Sequence, residues 1–330
     1  MSFADPYAHA PTSGEFQRLR RRLTRQVEAA IHDYSLIEAG DHVMVCCSGG
    51  KDSYSLLTIL MDLARRGTPE FTITAFNLDQ VQPGFPAEIL PTYFEGLGLT
   101  YDCHREDTYS IVTEKTAPGK TTCALCSRLR RGIIYTKAKE LGATKIALGH
   151  HRDDVVETLL LNLFFGGRLK AMPPKLSALK GEHTLIRPLF NCDEDSIARF
   201  ARGMAYPIIP CNLCGSQPNL QRQAFKQMLT EWEGKYPGRR QTLFKAIQHV
   251  VPSHLADGAL YDFHNLPEDP WAPIVTGHAA PKSSAAPVPS PAPEDMFAAQ
   301  IAAPQGFDAL LEELPSQSSI ESLIESPIKG

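Results

Sequence analysis

From Gln17 to Phe263 the chain switches repeatedly between two hydrophobic periods. Leu19, Leu23, Val27, Ile31 and Tyr34 recur at helical spacing while Arg18, Arg20, Arg21, Arg22 and Arg25 fill the other faces, which predicts a basic amphipathic helix. HVMVCCSGGKDS then reads as an apolar strand entering a glycine turn, YSLLTILMDLARRG as a helix closed by glycine, and FTITAFNLD as a β-branched strand ending at Asp79. ILPTYFEGLG predicts a helix, LTYDCHRED a strand, SRLRRGIIYTKAKELG a helix, KIALGHH a strand and DDVVETLLLNLFF a helix. HTLIRPLF and DEDSIARFARGM add one more of each, and a Pro- and Cys-containing loop from Pro207 to Leu220 precedes a last helical region around Ala224 to Gln248. Strands alternating with helices of this length predict an α/β fold with a doubly wound, mostly parallel sheet, and place ligands beyond the strand C-termini.

Composition changes this picture only at the ends. Residues 1–16 read as a flexible leader and 17–263 as the folded domain. In residues 264–330 lie 11 of the 26 prolines and nine carboxylates against Lys282 and Lys329, a local charge of −7 that leaves +3 on the remainder of a −4 chain. Such a segment buries too little apolar surface to offset its ordering entropy, so a disordered acidic tail is expected. No apolar run is long enough to span a bilayer and no basic-then-apolar leader opens the chain, so a cytoplasmic protein with no membrane contact is expected. Eight cysteines in 330 residues are too few for a disulfide scaffold, and four of them stand as two CxxC pairs.

The sharpest chemistry lies in Ser48, Gly49, Gly50, Lys51, Asp52 and Ser53. Following a strand and opening a helix, this turn offers backbone N–H groups, an ammonium and hydroxyls to an anion such as a polyphosphate. It is not a Walker A loop, since GxxxxGK[ST] is absent. Asp79 closes the second strand, where its carboxylate is placed for a ribose, Mg²⁺ or a base, or else for capping a turn. GHHRDD, residues 149–154, ends a later strand at the same sheet edge with Asp153 and Asp154 side by side, a pair suited to Mg²⁺ beside a triphosphate; one of the two is also expected to N-cap the following helix. Cys123 and Cys126 form CALC and Cys211 and Cys214 form CNLC, but 84 residues separate Cys126 from Cys211, which fails the local zinc-ribbon spacing. A long-range metal site stays open, and thiolates also hold iron–sulfur clusters. Cys46, Cys47, Cys103 and Cys192 read as structural thiols. Arg128, Arg130 and Arg131, with the N-terminal arginines, form a candidate patch for nucleic-acid phosphates.

The SGGKDS loop resembles that of the PP-loop pyrophosphatase superfamily, enzymes that use ATP to adenylate a substrate. Together with CALC, GHHRDD, MPPK at 172–175, PCNLCGSQPNLQR at 210–222 and the closing VVPSHLAD, it resembles the TtcA family of tRNA-cytidine 2-sulfurtransferases from about Gln17 to Phe263. The resemblance implies ATP-dependent thiolation of C2 of cytidine 32 in tRNA, a 4Fe-4S cluster, ATP with Mg²⁺, a cysteine desulfurase as sulfur donor and a homodimer. Asp52, Asp153 and Asp154 would be catalytic, and Ser48 to Ser53 with Asp79 would surround the nucleotide. Cys123, Cys126 and Cys214 would hold the cluster, the last because related cluster-dependent thiolases place a single Cys five residues before the Asn of a PN motif, as Cys214 stands before Asn219. Two other classes compete: a PP-loop tRNA-modifying ligase using nitrogen, which has no need of the cysteines, and a zinc-stabilised RNA-binding module.

Overall fold

The computed structural model describes residues 3–116, 123–178, 181–209 and 220–266. Helix α1 (Gly14–Asp33) starts at Ser13, whose Oγ accepts from Phe16 N, and buries the predicted Leu19, Leu23, Val27 and Ile31. Strand β1 (His42–Cys46), helix α2 (Lys51–Arg66) and strand β2 (Thr72–Asp79) form the first βαβ unit. Helix α3 (Ile89–Gly96), strand β3 (Tyr101–Arg105), helix α4 (Thr108–Lys115) and helix α5 (Cys123–Glu140) follow. Next come strand β4 (Lys145–Ala147), helix α6 (Arg152–Gly166), strands β5 (Lys175–Ala178) and β6 (His183–Ile186), and helices α7 (Glu194–Met204), α8 (Leu220–Lys235) and α9 (Arg239–Gln248).

The expected doubly wound sheet is present, with strand order β3-β2-β1-β4-β6-β5. All neighbours run parallel except β5, which pairs antiparallel to β6 at the edge. The chain leaves β1 towards β2 on one side and returns to pair β4 on the other, so the loops after β1 and β4 face each other across the switch point. Alternation along β1 feeds two cores: Val43 and Val45 pack with α1, α2 and α7, while Met44 packs with Phe76, Ile146 and Ala138 on the other face. Helix α2 is buried at every position from Ser53 to Leu63, which explains its almost unbroken apolar sequence; each Leu or Ile hidden there contributes roughly 1.5–3 kcal/mol. A third cluster joins Val155, Val156 and Leu160 of α6 to Phe225, Leu229 and Phe244 of α8 and α9.

Several boundaries differ from the sequence reading. The stretch read as a flexible leader is anchored: Tyr7 is buried under the Arg20 guanidinium, 3.6 Å from the ring centroid, and Ala4 N donates to Leu97 O. HTLIRPLF is strand only to Ile186, because Pro188 has no N–H to donate and opens a 3₁₀ turn, Pro188–Asn191. The last helical region breaks at Gly238, φ +87°, into α8 and α9. Helix α4 and strand β5 were not anticipated: α4 is started by Asp107 accepting from Ser110 N and has no continuous apolar stripe, and β5 is a four-residue edge strand. The 264–330 segment lies outside the described residues apart from 264–266.

Candidate active site

The loop after β1 is shaped by two close approaches. Gly49 has φ +79°, and a Cβ there would sit 2.7 Å from Ile209 Cδ1, while Ile209 N donates to Gly49 O. Ser53 closes the turn, its Oγ accepting from Ser48 N at 3.2 Å and donating to Gly50 O at 2.9 Å. Gly50 is the N-cap of α2 and brings no capping side chain, which leaves the opening N–H groups of a buried 16-residue helix for an anion. Lys51 Nζ lies 3.1 Å from Asp52 Oδ2 and 3.2 Å from Glu194 Oε1. Burial alone would lower the Lys51 ammonium, but Asp52 and then Glu194 hold it above its ordinary value.

The loop after β4 presses on this turn. A Cβ at Gly149 would come within 3.2 Å of Asp52 C and Ser53 N, so glycine is what lets the two loops meet. The N-cap of α6 is His151, not either aspartate as expected: His151 Nδ1 accepts from Asp154 N at 3.4 Å and His151 N donates to Asp154 Oδ2 at 3.1 Å, a capping box. The ring proton therefore belongs on Nε2, 3.8 Å from Asp52 Oδ1, a buried oxygen with no hydrogen-bond partner in the structure. Behind it His150 is pushed down to about 4 by burial and by Arg187, so it is neutral at neutral pH.

The adjacent aspartates have separate fates. Asp154 stays half-buried at the loop, whereas Asp153 is 1% exposed and turned inward. Its Oδ2 accepts from Glu194 N at 2.8 Å, and its Oδ1 from Arg240 Nη1 at 3.1 Å and Arg152 Nη2 at 3.3 Å. Burial would raise that carboxyl, yet Arg152, the Glu194 N–H and Arg240 together hold it below the usual carboxylate range. The expected catalytic pair is thus one site-facing carboxylate and one structural junction between α6, α7 and α9. At the end of β2, Asp79 takes the turn-capping role: Oδ1 accepts from Val81 N at 2.8 Å, and Oδ2 lies 3.6 Å from Arg105 Nε.

Cys126 reaches the same sheet edge. Its Sγ donates to Gln80 Oε1 at 3.1 Å, one residue past the end of β2, and the Arg130 guanidinium stands 3.9 Å away. That half-buried setting is polar and cationic. The contrast is with the structural thiols: burial pushes Cys46 up to about 12 and Cys103 up to about 11, and raises Cys47 and Cys192 as well. Cys123 is the first residue of α5, one turn before Cys126, while Cys211 and Cys214 lie outside the described residues.

A PP-loop domain profile matches residues 19–209. The tRNA-cytidine(32) 2-sulfurtransferase of Dechloromonas aromatica (strain RCB) is 60% identical over 268 residues, 81% of this chain and 93% of the relative. That of Aromatoleum aromaticum (strain DSM 19018 / LMG 30748 / EbN1) is 61% identical over 257 residues, 78% of this chain and 81% of the relative. The chain belongs to the tRNA-cytidine(32) 2-sulfurtransferase family. The resemblance carried by SGGKDS, CALC, GHHRDD and PCNLCGSQPNLQR is borne out. Among solved structures, the U34-tRNA thiolase NcsA from Methanococcus maripaludis with its 4Fe-4S cluster superposes with a TM-score of 0.58 over 72% of this chain and 81% of that chain; at 19% identity this shows a shared fold.

In this 2-sulfurtransferase-family chain the C-terminal helices attach through charges that the motifs did not reveal. Asp153 meets Arg240 of α9, Glu157 meets Arg222 of α8 at 3.6 Å, and Glu194 meets Lys226 of α8 at 2.8 Å. Asp153 and Arg222 lie in GHHRDD and PCNLCGSQPNLQR, but no motif marks Glu157, Glu194, Lys226 or Arg240, and only the packing of the helices brings the pairs together. Gln80 was missed too, and its one sequence signal is a polar residue directly after a strand-end Asp.

The aspartate split predicts two different lesions. Asp153→Ala strands two arginines and an N–H in the interior and should cost about 3–5 kcal/mol of stability. Asp154→Ala loses half a capping box, about 1 kcal/mol, but removes the carboxylate facing the loop, so its turnover should collapse. Thermal melts beside thiolation assays separate them, and a stable, inactive Asp153 variant would reverse the assignment. Glu157 supplies a pH test: burial, against the pull of Arg222, pushes its carboxyl from 4.5 up to about 7. The folded chain keeps this proton where the unfolded chain has lost it, so the associated stability is complete below about pH 4.5 and is lost as pH rises through 7. Glu157→Gln cannot ionise, so its melting temperature relative to wild type should rise between pH 5 and 8. A pH-independent difference would contradict this.

Proposed function

We propose that this chain thiolates C2 of cytidine 32 in tRNA, using ATP to activate the base oxygen and a 4Fe-4S cluster to handle sulfur. The observation that carries the reading is the single sheet edge shared by the Ser48–Ser53 loop, the GHHRDD loop and, through Gln80, the Cys126 thiol. The first step forms a bond from cytidine O2 to the α-phosphorus of ATP and releases pyrophosphate. The second forms a C2–S bond from sulfide and breaks C2–O, so AMP leaves with the former base oxygen; these two steps are redox-neutral, and the persulfide sulfur carried by a cysteine desulfurase is first reduced to sulfide by two electrons from an external thiol, which becomes a disulfide.

The loop N–H groups and Lys51 hold the phosphates and neutralise charge on the departing pyrophosphate. Asp52 and Asp154 are the carboxylates we assign to Mg²⁺, and Asp79 to the nucleotide rim. Cys123, Cys126 and Cys214 are the ligands we assign to the cluster, and Cys126 stands half-buried at the sheet edge between Gln80 and Arg130. Bound by three cysteines, such a cluster supplies an iron whose fourth position is open to an exogenous ligand. A cysteine desulfurase as sulfur donor, a homodimer, a cytoplasmic location and a catalytic domain spanning 17–263, with a 264–330 tail that is dispensable for turnover from about Pro270 onward, complete the proposal. In agreement with it, no helix among the described residues is long and apolar enough to cross a membrane.

Anaerobically purified protein, given ATP, Mg²⁺, tRNA, a cysteine desulfurase with cysteine and a thiol reductant such as dithiothreitol, should form 2-thiocytidine mapped to position 32, with one AMP and one pyrophosphate per sulfur. AMP formation accompanied by nitrogen transfer, or tRNA binding with no AMP at all, would replace this reading by one of its two competitors.

A further inference from the structure

A single oxygen, Oε1 of Glu194, joins the phosphate-loop lysine to a helix of the C-terminal pair: Lys51 Nζ is 3.2 Å from it and Lys226 Nζ 2.8 Å. The backbone of Glu194 is fixed independently, its N–H donating to the buried Asp153 Oδ2. The side chain is itself largely covered, at 17% exposure, while Lys226 is half exposed. Lys51 therefore sits between two carboxylates, Asp52 and Glu194, in the place where a phosphate would compete for it.

We propose that Glu194 is a positioning residue that sets how freely Lys51 meets nucleotide phosphates, and that Lys226 tunes it by sharing its charge. The inference rests on reading the Ser48–Ser53 loop as the ATP phosphate site. A carboxylate divided between two ammoniums grips each less firmly than it would grip one. Phosphates drawing Lys51 away leave Glu194 neutralised by Lys226, so of the two carboxylates that Lys51 bridges only Asp52, assigned above to Mg²⁺, is released. Burial alone would raise the Glu194 carboxyl, but Lys226 and Lys51 hold it down at about 2, so the bridge stays ionised throughout the working pH range.

The test is binding of α,β-methylene-ATP to the purified full chain by titration calorimetry, in wild type, Glu194→Gln, Lys226→Met and the double variant. Removing the competitor in Glu194→Gln should tighten binding by about 5-fold, and Lys226→Met, which returns the whole carboxylate to Lys51, should weaken it by about 3-fold. In the Glu194→Gln background Lys226→Met should change affinity by less than about 1.5-fold, because its effect runs through the missing carboxylate. Glu194→Asp, which keeps the charge, should fall between wild type and the amide. A purely structural role for Glu194 would weaken binding rather than tighten it, and that result would overturn the proposal. Additive effects in the double variant would overturn it while leaving the phosphate-loop reading intact. Failure of wild type to bind the analogue would overturn both. Should Glu194→Gln not fold, Lys226→Met still decides, since unchanged affinity in that exposed-site variant also overturns the proposal.

Discussion

Alanine at Cys123, Cys126 or Cys214 is expected to strip the protein of both iron and thiolation, whereas Cys211→Ala keeps its iron and a substantial fraction of turnover. Three thiolates leave one iron of a four-iron cluster open to sulfur, while four would saturate it and leave only a structural or electron-carrying group. Of the three proposed ligands, Cys126 is the one whose surroundings are described: it is half-buried, with a hydrogen bond to Gln80 and a guanidinium 3.9 Å away, whereas burial raises the thiols of Cys46, Cys47, Cys103 and Cys192. Loss of Cys126 costs the fold little, since it removes one hydrogen bond from a half-buried position, on the order of 1 kcal/mol. Iron and sulfide analysis after reconstitution without oxygen, with the melting temperature as control, is the measurement. If Cys211 proves essential for iron and Cys214 does not, the ligand assignment moves by one cysteine and the open-iron chemistry stands. If all four are essential, that chemistry fails.

Lys51→Ala and Asp52→Ala should each lower thiolation by at least about 10²–10³-fold, the usual effect of deleting one group that stabilises transition-state charge. The same changes should barely alter stability. Lys51 is partly solvated, and deleting it leaves Glu194 paired with Lys226 and accepted into the Asp153 junction, so about 0–1 kcal/mol is at stake. Asp52 likewise surrenders a partly exposed pair, and its Oδ1 faces only His151 Nε2 at 3.8 Å. Neither residue touches Cys126, so iron content should match wild type. Turnover, melting temperature and iron measured on the same preparations decide the matter, and either variant turning over at the wild-type rate would remove that residue from the catalytic set.

Much of this protein is legible from local pattern. Apolar runs announce β1 and β2 and apolar positions one turn apart announce α1, α2, α6 and α7, because each of these elements buries several apolar side chains. SGGKDS and GHHRDD are legible for a different reason: a phosphate-wrapping turn needs glycines and a helix start at fixed offsets, so its chemistry is confined to a few consecutive residues. Elements without a buried rhythm escaped. Helix α4 rests on its Asp107 cap, β5 exists only because β6 offers it an edge, and Tyr7 is buried by α1 and Arg20 rather than by any pattern of its own.

The tertiary structure decided what the motif residues do. From sequence, Asp153 and Asp154 are equivalent neighbours; successive helix positions differ by 100°, which leaves Asp154 beside His151 Nε2, the nitrogen Asp52 also faces, and turns Asp153 into the arginines beneath it. His151 carries no assigned role from sequence, yet it takes the cap expected of an aspartate, its Nδ1 accepting from Asp154 N. Glu194, Lys226 and Arg240 carry no signal in one dimension, since their meaning is electrostatic and arises only when α8 and α9 close over α6. The sequence determined the parallel strands, most of the helices and the loop proposed to take the phosphates. Which of the paired carboxylates stays half-exposed near that loop and which one anchors the chain is a matter of direction and burial, quantities that come into being only once distant segments pack.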